Sequence, residues 1–391
     1  MNEPLVRAMM QLIGSEVFGT ALDKSVPPLL TEDFLKQLFL LSKWHDLAHI
    51  VCAALEKNRL LPQCEVGNKF SKQMMMAVYR YQQLNYESER IFKTLEEAKI
   101  PYLPLKGTII RRYYPEPWLR TSCDIDVLVH ESDLVRSIEL LVSTLSYEDK
   151  TLNYHDASLY TQTGFHLELH YSVQEDLKNA DLLLADAWNY ALPVSDGSYR
   201  YQFRDDFFLF YFFAHASKHF LSGGCGVRPL IDLYLLRQKM PYDAVALETL
   251  LKKGGIQQFA NAMEKLGEVW FGQAEADKNI AAMGKFVLSG GVYGHFGNRI
   301  SVGRAMKGSD FRYMLSRLWM PYRLLKIKYP VLKRHKWLFL AAQVWRLLTG
   351  LLSKRTKMEI RVINDREPMG KNEKGTSELL TVLGLKEDSA K

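Results

Sequence analysis

Leu103–Val129 reads LPLKGTIIRRYYPEPWLRTSCDIDVLV, and the fold turns on how this stretch divides. Pro101 and Pro104 end the helical pattern before them and begin an extended segment, IPYLPLKG. TIIRRYY then has a helix-like texture, and DIDVLV is a short β-branched run. In a strand, residues two apart point the same way. Asp124 and Asp126 therefore share one face, while Ile125 and Val127 turn into the core. Neighbouring carboxylates repel unless a cation sits between them. Mg²⁺ (or Mn²⁺) suits such oxygen ligands and keeps positions free for phosphate oxygens.

Farther along, SDLVRSIELLVSTL has apolar residues at 134, 138, 141, 142 and 145, a helical spacing. FHLELHYSV alternates strictly. Phe165, Leu167, Leu169 and Tyr171 lie on one side, and His166, Glu168 and His170 on the other. Glu168 is the natural third carboxylate for a two-ion site of the kind that activates an attacking oxygen and stabilises a leaving one. Glu175 and Asp176 are acids too, but they lie past the alternation. A rival reading takes His166, Glu168 and His170 as a transition-metal site, since imidazole suits zinc or iron. Upstream, Gly107 would let backbone amides approach a phosphate, and Thr108 would add a hydroxyl donor at a helix start. Lys106, Arg112 and Arg120 are available to neutralise phosphate charge.

On either side the texture is helical. Residues 1–97 read as helices, with Met76, Tyr79, Leu84, Ile91, Phe92 and Leu95 able to share a face. Residues 98–200 form a small α/β unit, and residues 201–360 a helical bundle. DDFFLFYFFAHASKHFL, from Asp205, is too apolar for a surface helix and too short and polar to span a bilayer comfortably. It reads as the central helix of that bundle. His215 and His219 share a face of it, and a core role or a substrate contact both fit. Without the glutamate of HExxH, zinc hydrolysis is disfavoured. Arg228 and Asp232, also i,i+4, read as a salt bridge, and Gly223–Gly226 as a turn. Residues 361–391 read as a flexible polar tail in which only SELLTVLGL could form a short helix.

The bulk numbers fit an ordinary globular chain of 391 residues, 47% hydrophobic and 24% charged, with room for two or three domains. Four separated cysteines give neither zinc spacing nor a disulfide framework, which suits a reducing compartment. The first residues have no leader-like apolar core, so a cytoplasmic protein is expected. Cys123, beside Asp124, reads as buried and inert. Charge is uneven. Between Arg304 and Ile360, fourteen Lys or Arg face only Asp310 and Glu359, so +12 of the net +7 lies there and the remainder is −5. Trp319, Tyr322, Tyr329, Trp337 and Trp345 stand among these charges. Segment 304–357 could meet nucleic acid, or an anionic membrane that would hold the protein peripherally. The plainer expectation is amphipathic helices with solvated lysines and inward-packed aromatics. KWLFLAAQVWRLLTGLL is interrupted by Gln343 and Arg346 and fits a buried or membrane-surface helix better than a spanning one.

Together these motifs resemble the DNA polymerase β-like nucleotidyltransferase superfamily: a Gly-Ser/Gly helix start, an Asp-x-Asp strand, and a later strand with a lone acid. More closely, the chain resembles a bacterial family of uncharacterised nucleotidyltransferases. The likeness lies in Leu105-Lys106-Gly107, in Tyr114 to Arg120 (Tyr-Pro-x-Pro-x-x-Arg), in Asp124 to Asp126, and in His166 to His170. His215, His219, Arg228 and Asp232 resemble the family's His-rich helix and Arg-x-x-x-Asp, and MPYRLLKIKYPVLKRHKWLFLAAQVWRLL its closing segment. Thr108 stands where the superfamily has Ser or Gly, and sixteen positions separate it from Asp124, more than in compact members. The resemblance implies an α+β fold: a small mixed-sheet nucleotidyltransferase domain flanked by N-terminal helices and a C-terminal helical bundle. It implies transfer of a nucleoside monophosphate from an NTP to an acceptor hydroxyl on a small molecule, protein or RNA. Asp124, Asp126 and Glu168 would be the catalytic metal ligands, and Lys106, Gly107, Thr108 and Arg120 would hold the nucleotide. His166, His170, His215 and His219 would contact substrate. A non-catalytic nucleotide- or polyanion-binding protein on the same fold is the alternative.

Overall fold

The computed structural model describes residues 3–153, 155–292, 294–307, 319–351 and 371–386. Helices α1 (Glu3–Val17), α2 (Glu32–Trp44), α3 (Ala48–Lys57) and α4 (Glu65–Glu97) precede strand β1 (Tyr102–Pro104) and the short helix α5 (Lys106–Ile110). Next come β2 (Asp124–Val129), α6 (Leu134–Leu145), β3 (Glu148–Leu152), β4 (Asp156–Tyr160) and β5 (His166–His170). Helix α7 (Ala180–Leu184) and a hairpin of β6 (Ala191–Pro193) and β7 (Tyr201–Phe203) follow. They lead into α8 (Asp205–Leu221), α9 (Arg228–Lys239), α10 (Ala244–Lys253), α11 (Gln257–Phe271), α12 (Lys278–Gly290) and α13 (Phe296–Lys307). Beyond these lie α14 (Tyr322–Lys328), α15 (Phe339–Leu351) and α16 (Lys371–Val382).

The fold is α+β, mostly helical, with a five-strand mixed sheet of order β1-β2-β5-β4-β3 between the flanking helices, as the sequence predicts. Strands β2 and β5 are parallel, and every other neighbouring pair in this sheet is antiparallel. A parallel pair needs a crossover, which α6 and the β3–β4 hairpin supply. Asp124 stands opposite His166, and Asp126 opposite Glu168.

The two-residue period then sorts the sheet's faces. Ile125, Val127, Val129, Leu159, Leu167 and Leu169 pack against Leu84, Ile91, Phe92 and Leu95 of α4 and Leu134 and Leu141 of α6. The opposite face carries the acids and histidines toward the helical bundle. Helix α4 bridges two cores: Val66 and Phe70 enter the larger one, and its last turns cover the sheet. Met76 and Tyr79, expected on its apolar face, lie where it passes between the cores and are exposed.

The larger core joins both ends of the chain. Leu5, Met9, Leu12 and Ile13 of α1 share it with Phe207, Phe210, Phe213 and Phe220 of α8, and with Leu379, Leu380 and Leu383. Helix α8 is apolar on nearly every side because it lies in the middle, as its sequence predicts. The flexible-tail expectation is corrected over 371–386, where α16 packs on α12 and α13 and buries those leucines beneath a polar outer face. Residues 361–370 and 387–391 lie outside the described residues.

The expectation for the aromatic residues of the basic segment is corrected too. Trp319, Trp337 and Trp345 are exposed, Tyr322 and Tyr329 are half-buried, and on α15 the buried position is taken by Gln343. Among the described residues, no helix is long and apolar enough to cross a membrane.

Candidate functional site

The site forms at the polar face of β2 and β5. Leu105 N donates to the Asp126 carbonyl at 3.0 Å, which ties the end of β1 to the middle of β2. Lys106 then turns with φ 37°, a left-handed conformation costly for a side-chain-bearing residue. That turn brings its Nζ 3.5 Å from Asp126 Oδ1. From β5, His170 Nε2 lies 2.9 Å from Asp126 Oδ1 and 3.4 Å from Glu168 Oε2. His166 Nε2 is 3.8 Å from the other Glu168 oxygen, and its ring stacks on Tyr160.

Ligand atoms of Asp126, Glu168 and His170 all lie within 4.8 Å of one another, close enough to hold one metal ion. This close group shares Asp126 and Glu168 with the expected triad and has His170 in place of Asp124. Asp124 and His170 each lie one same-face step, roughly 6.6 Å, to either side of the Asp126–Glu168 rung, and the longer imidazole side chain of His170 reaches back to it.

Electrostatics separate the members. Burial opposes charge on Asp126, yet Lys106 and His170 outweigh it and hold its carboxyl far below the usual range. Burial likewise opposes charge on Lys106, but Asp126 and other acids keep the ammonium well above its ordinary value. His170, despite burial, is held up at about 9 by its bonds to Asp126 and Glu168. The His170 bond lowers Glu168. Asp124 moves the other way. Burial, then the charges of Asp126 and Glu168, push it up to about 6. A divalent cation would relieve that crowding, and two carboxylates with an imidazole form a donor set that fits one.

These groups open into a cavity of about 410 Å³ walled on the far side by Tyr211, His215, Lys218 and His219 of α8. Just past β5, Glu175 is buried and clamped by His215 Nδ1 and Lys218 Nζ, each at 2.7 Å. His215 Nε2 meets His219 Nε2 at 2.9 Å. Burial and the charge of Lys106 lower His215, and burial with the charges of His215 and Lys106 lowers His219 to about 3.

Two further anchors close the cleft. Arg120 donates Nε and Nη2 to the Asp232 carboxylate at 3.0–3.2 Å, and Tyr114 OH joins at 2.7 Å. A Cβ on Gly107 would lie 2.9 Å from Arg120 Nη1, so glycine here makes room for the guanidinium. Arg228 bonds Asp46 and Thr121 instead of Asp232, which corrects the expected i,i+4 bridge. The first two turns of α9 thus bind the turn between α2 and α3 on one side and the loop before β2 on the other.

Of the expected residues, Lys106, Gly107, Arg120, Asp124, Asp126, Glu168, His170, His215 and His219 line the cleft. Thr108 and His166 do not, and Arg112 turns outward onto Tyr113. Cys123, expected to be buried, is exposed at the cleft edge. Sequence reasoning missed Lys218 and Tyr211, which lie one helical turn from His215. It also missed the role of Glu175.

A family model described as uncharacterised nucleotidyltransferase matches residues 35–272. The chain belongs to that family. The matched span runs from within α2 to the end of α11 and so includes the sheet, the acids and the α8 wall. No curated protein and no solved structure matches the chain.

Proposed function

We propose that the protein transfers a nucleoside monophosphate from an NTP to an acceptor hydroxyl, releasing pyrophosphate. The reading rests above all on Asp126 and Glu168 meeting side by side on parallel strands, beneath Lys106, at the floor of an open cleft. Asp126 and Glu168, with Asp124 and His170 beside them, would hold Mg²⁺ or Mn²⁺. When bound, such ions polarise the α-phosphate and stabilise the departing oxygen. Lys106 and Arg120, with the backbone at Gly107 and Thr108, would balance the triphosphate's charge. The acceptor oxygen would bond to the α-phosphorus as the bond to the bridging oxygen of pyrophosphate breaks, and Glu168 would take the hydroxyl proton. Beside the cleft, and sharing Lys106, Arg120 and His215 with it, lies a recess of about 150 Å³ lined by Phe208, Phe212, Pro229, Val292 and His45. An apolar space of roughly that volume accepts a benzene-sized ring, so the nucleotide's base would enter it. His215 and His219 would stand between base and phosphates, and His166 would steady Glu168.

The test incubates the protein with Mg²⁺ or Mn²⁺ and each labelled NTP. Pyrophosphate release or labelling of an acceptor, lost in Asp126→Ala, is the expected result. Nucleotide bound tightly but never turned over with any acceptor class would leave only the binding-protein reading.

A further inference from the structure

We propose that α15 and the basic segment around it form a docking surface for an anionic membrane, independent of the chemistry in the cleft. Helix α15 is inside out. Its polar Gln343 is 4% exposed, with its amide bonded to the Met320 backbone and to Arg346. Its apolar Leu340, Val344, Trp345 and Leu348 face water, each more than half exposed, and Trp337 one turn earlier is 77% exposed. Positions 340, 344, 345 and 348 fall on one stripe of α15, and Trp337 stands in the 3-10 turn that leads into it. A continuous apolar stripe turned to solvent marks an interaction face.

Charge identifies the occupant. The stripe lies within the segment where fourteen Lys or Arg face two acids, and Lys328, Arg334 and Lys336 beside it are exposed. A helix with Trp and Leu on one side and Lys and Arg around it lies in the headgroup plane, its apolar side in the acyl boundary. Tryptophan prefers that depth, and the cations are drawn to anionic lipid. A second copy of the chain would bring the same +12 segment against its own like. Nucleic acid would engage the cations but leave Leu340, Val344 and Leu348 without a partner. The bilayer satisfies both halves of the surface.

The test uses the full chain with vesicles of phosphatidylcholine alone and of phosphatidylcholine mixed with phosphatidylglycerol. Co-flotation with the anionic vesicles only, weakening as salt rises, and a blue shift of tryptophan emission are expected. The exposed triple variant Leu340→Ser, Val344→Ser, Leu348→Ser, checked for folding by circular dichroism, should lose at least about tenfold in affinity. Lys328→Glu, Arg334→Glu and Lys336→Glu together should abolish flotation. Three results would overturn the proposal: no partition onto anionic vesicles, serine variants that float like the native chain, or a concentration-dependent dimer that the serine changes dissolve. Tight binding to an RNA oligonucleotide, unchanged by the serine changes and with no vesicle binding, would also overturn it.

Discussion

Asp126 and Glu175 are both buried carboxylates held far below the usual range, yet their surroundings differ in kind. Burial opposes charge on each. The groups that then act most on Glu175 are all basic: His215, Lys218 and Lys106. Asp126 also has cations, Lys106 and His170, but shares its face with Glu168 and Asp124, and Asp124 is pushed up to about 6 as a result. One acid is a satisfied strut. The other belongs to a crowd of negative charge, which a structure keeps at a cost and which a cation can use. The difference separates a structural anchor from the proposed metal site more clearly than burial does.

The sharpest way to break this contrast is to neutralise each acid in turn. Asp126→Asn should lower metal-dependent turnover by at least about 10³-fold, measured as pyrophosphate release, and lower Tm less than Glu175→Gln does, because relief of the repulsion from Glu168 and Asp124 offsets part of the lost pairing with Lys106 and His170. Glu175→Gln should do the reverse. Stripping a buried pair of one partner costs about 3–5 kcal/mol, read in urea unfolding, while Mn²⁺ affinity stays near the native value. If Asp126→Asn instead unfolds the protein and Glu175→Gln instead abolishes metal binding, the two roles have been exchanged.

Acid sensitivity gives a smaller effect that belongs to neither acid. Burial drives His45 and His49 down to about 4, and His49 Nε2 bonds the Leu119 carbonyl at 2.8 Å. The unfolded chain protonates near 6.5, before these folded imidazoles do. Their contribution is therefore complete above pH ~6.5 and lost as pH falls toward ~4, by up to about 3 kcal/mol each. Urea unfolding across that range should show the slope, and His49→Asn should flatten it. Smallest of all, His166→Gln should weaken Mn²⁺ binding by about tenfold or less, since this imidazole meets Glu168 only at 3.8 Å. A loss as large as that of His170→Ala would make His166 a ligand.

Much of the sheet was legible because it follows from local periods. The alternation around Asp126 and Glu168 dictates which side chains leave the core, and the proline pair at 101 and 104 marks where helix gives way to strand. The place of His170, in preference to Asp124, in the close group was not legible, because it depends on which side chain reaches back to a rung formed by two strands about forty residues apart. Partners of Arg228 and Asp232 lie more than a hundred residues away, so their i,i+4 spacing pointed to each other instead. The leucines near 380 were hidden by polar neighbours whose charged sides face water. Outward-facing tryptophans went against the general rule that large apolar residues turn inward, and no local pattern signals such an exception.

The joining of both chain ends in the larger core has a consequence for synthesis and for trimming. Helix α1 rests on α3 and α11, and α16 rests on α12 and α13, so neither terminus is a removable appendage. A polypeptide cut to residues 35–272 would keep every acid of the cleft but leave bare the apolar seats of Leu5, Met9, Leu12 and Ile13. It should clump rather than catalyse. On the ribosome α1 must wait for α11, and α12 and α13 for α16, so a newborn chain needs shelter until then.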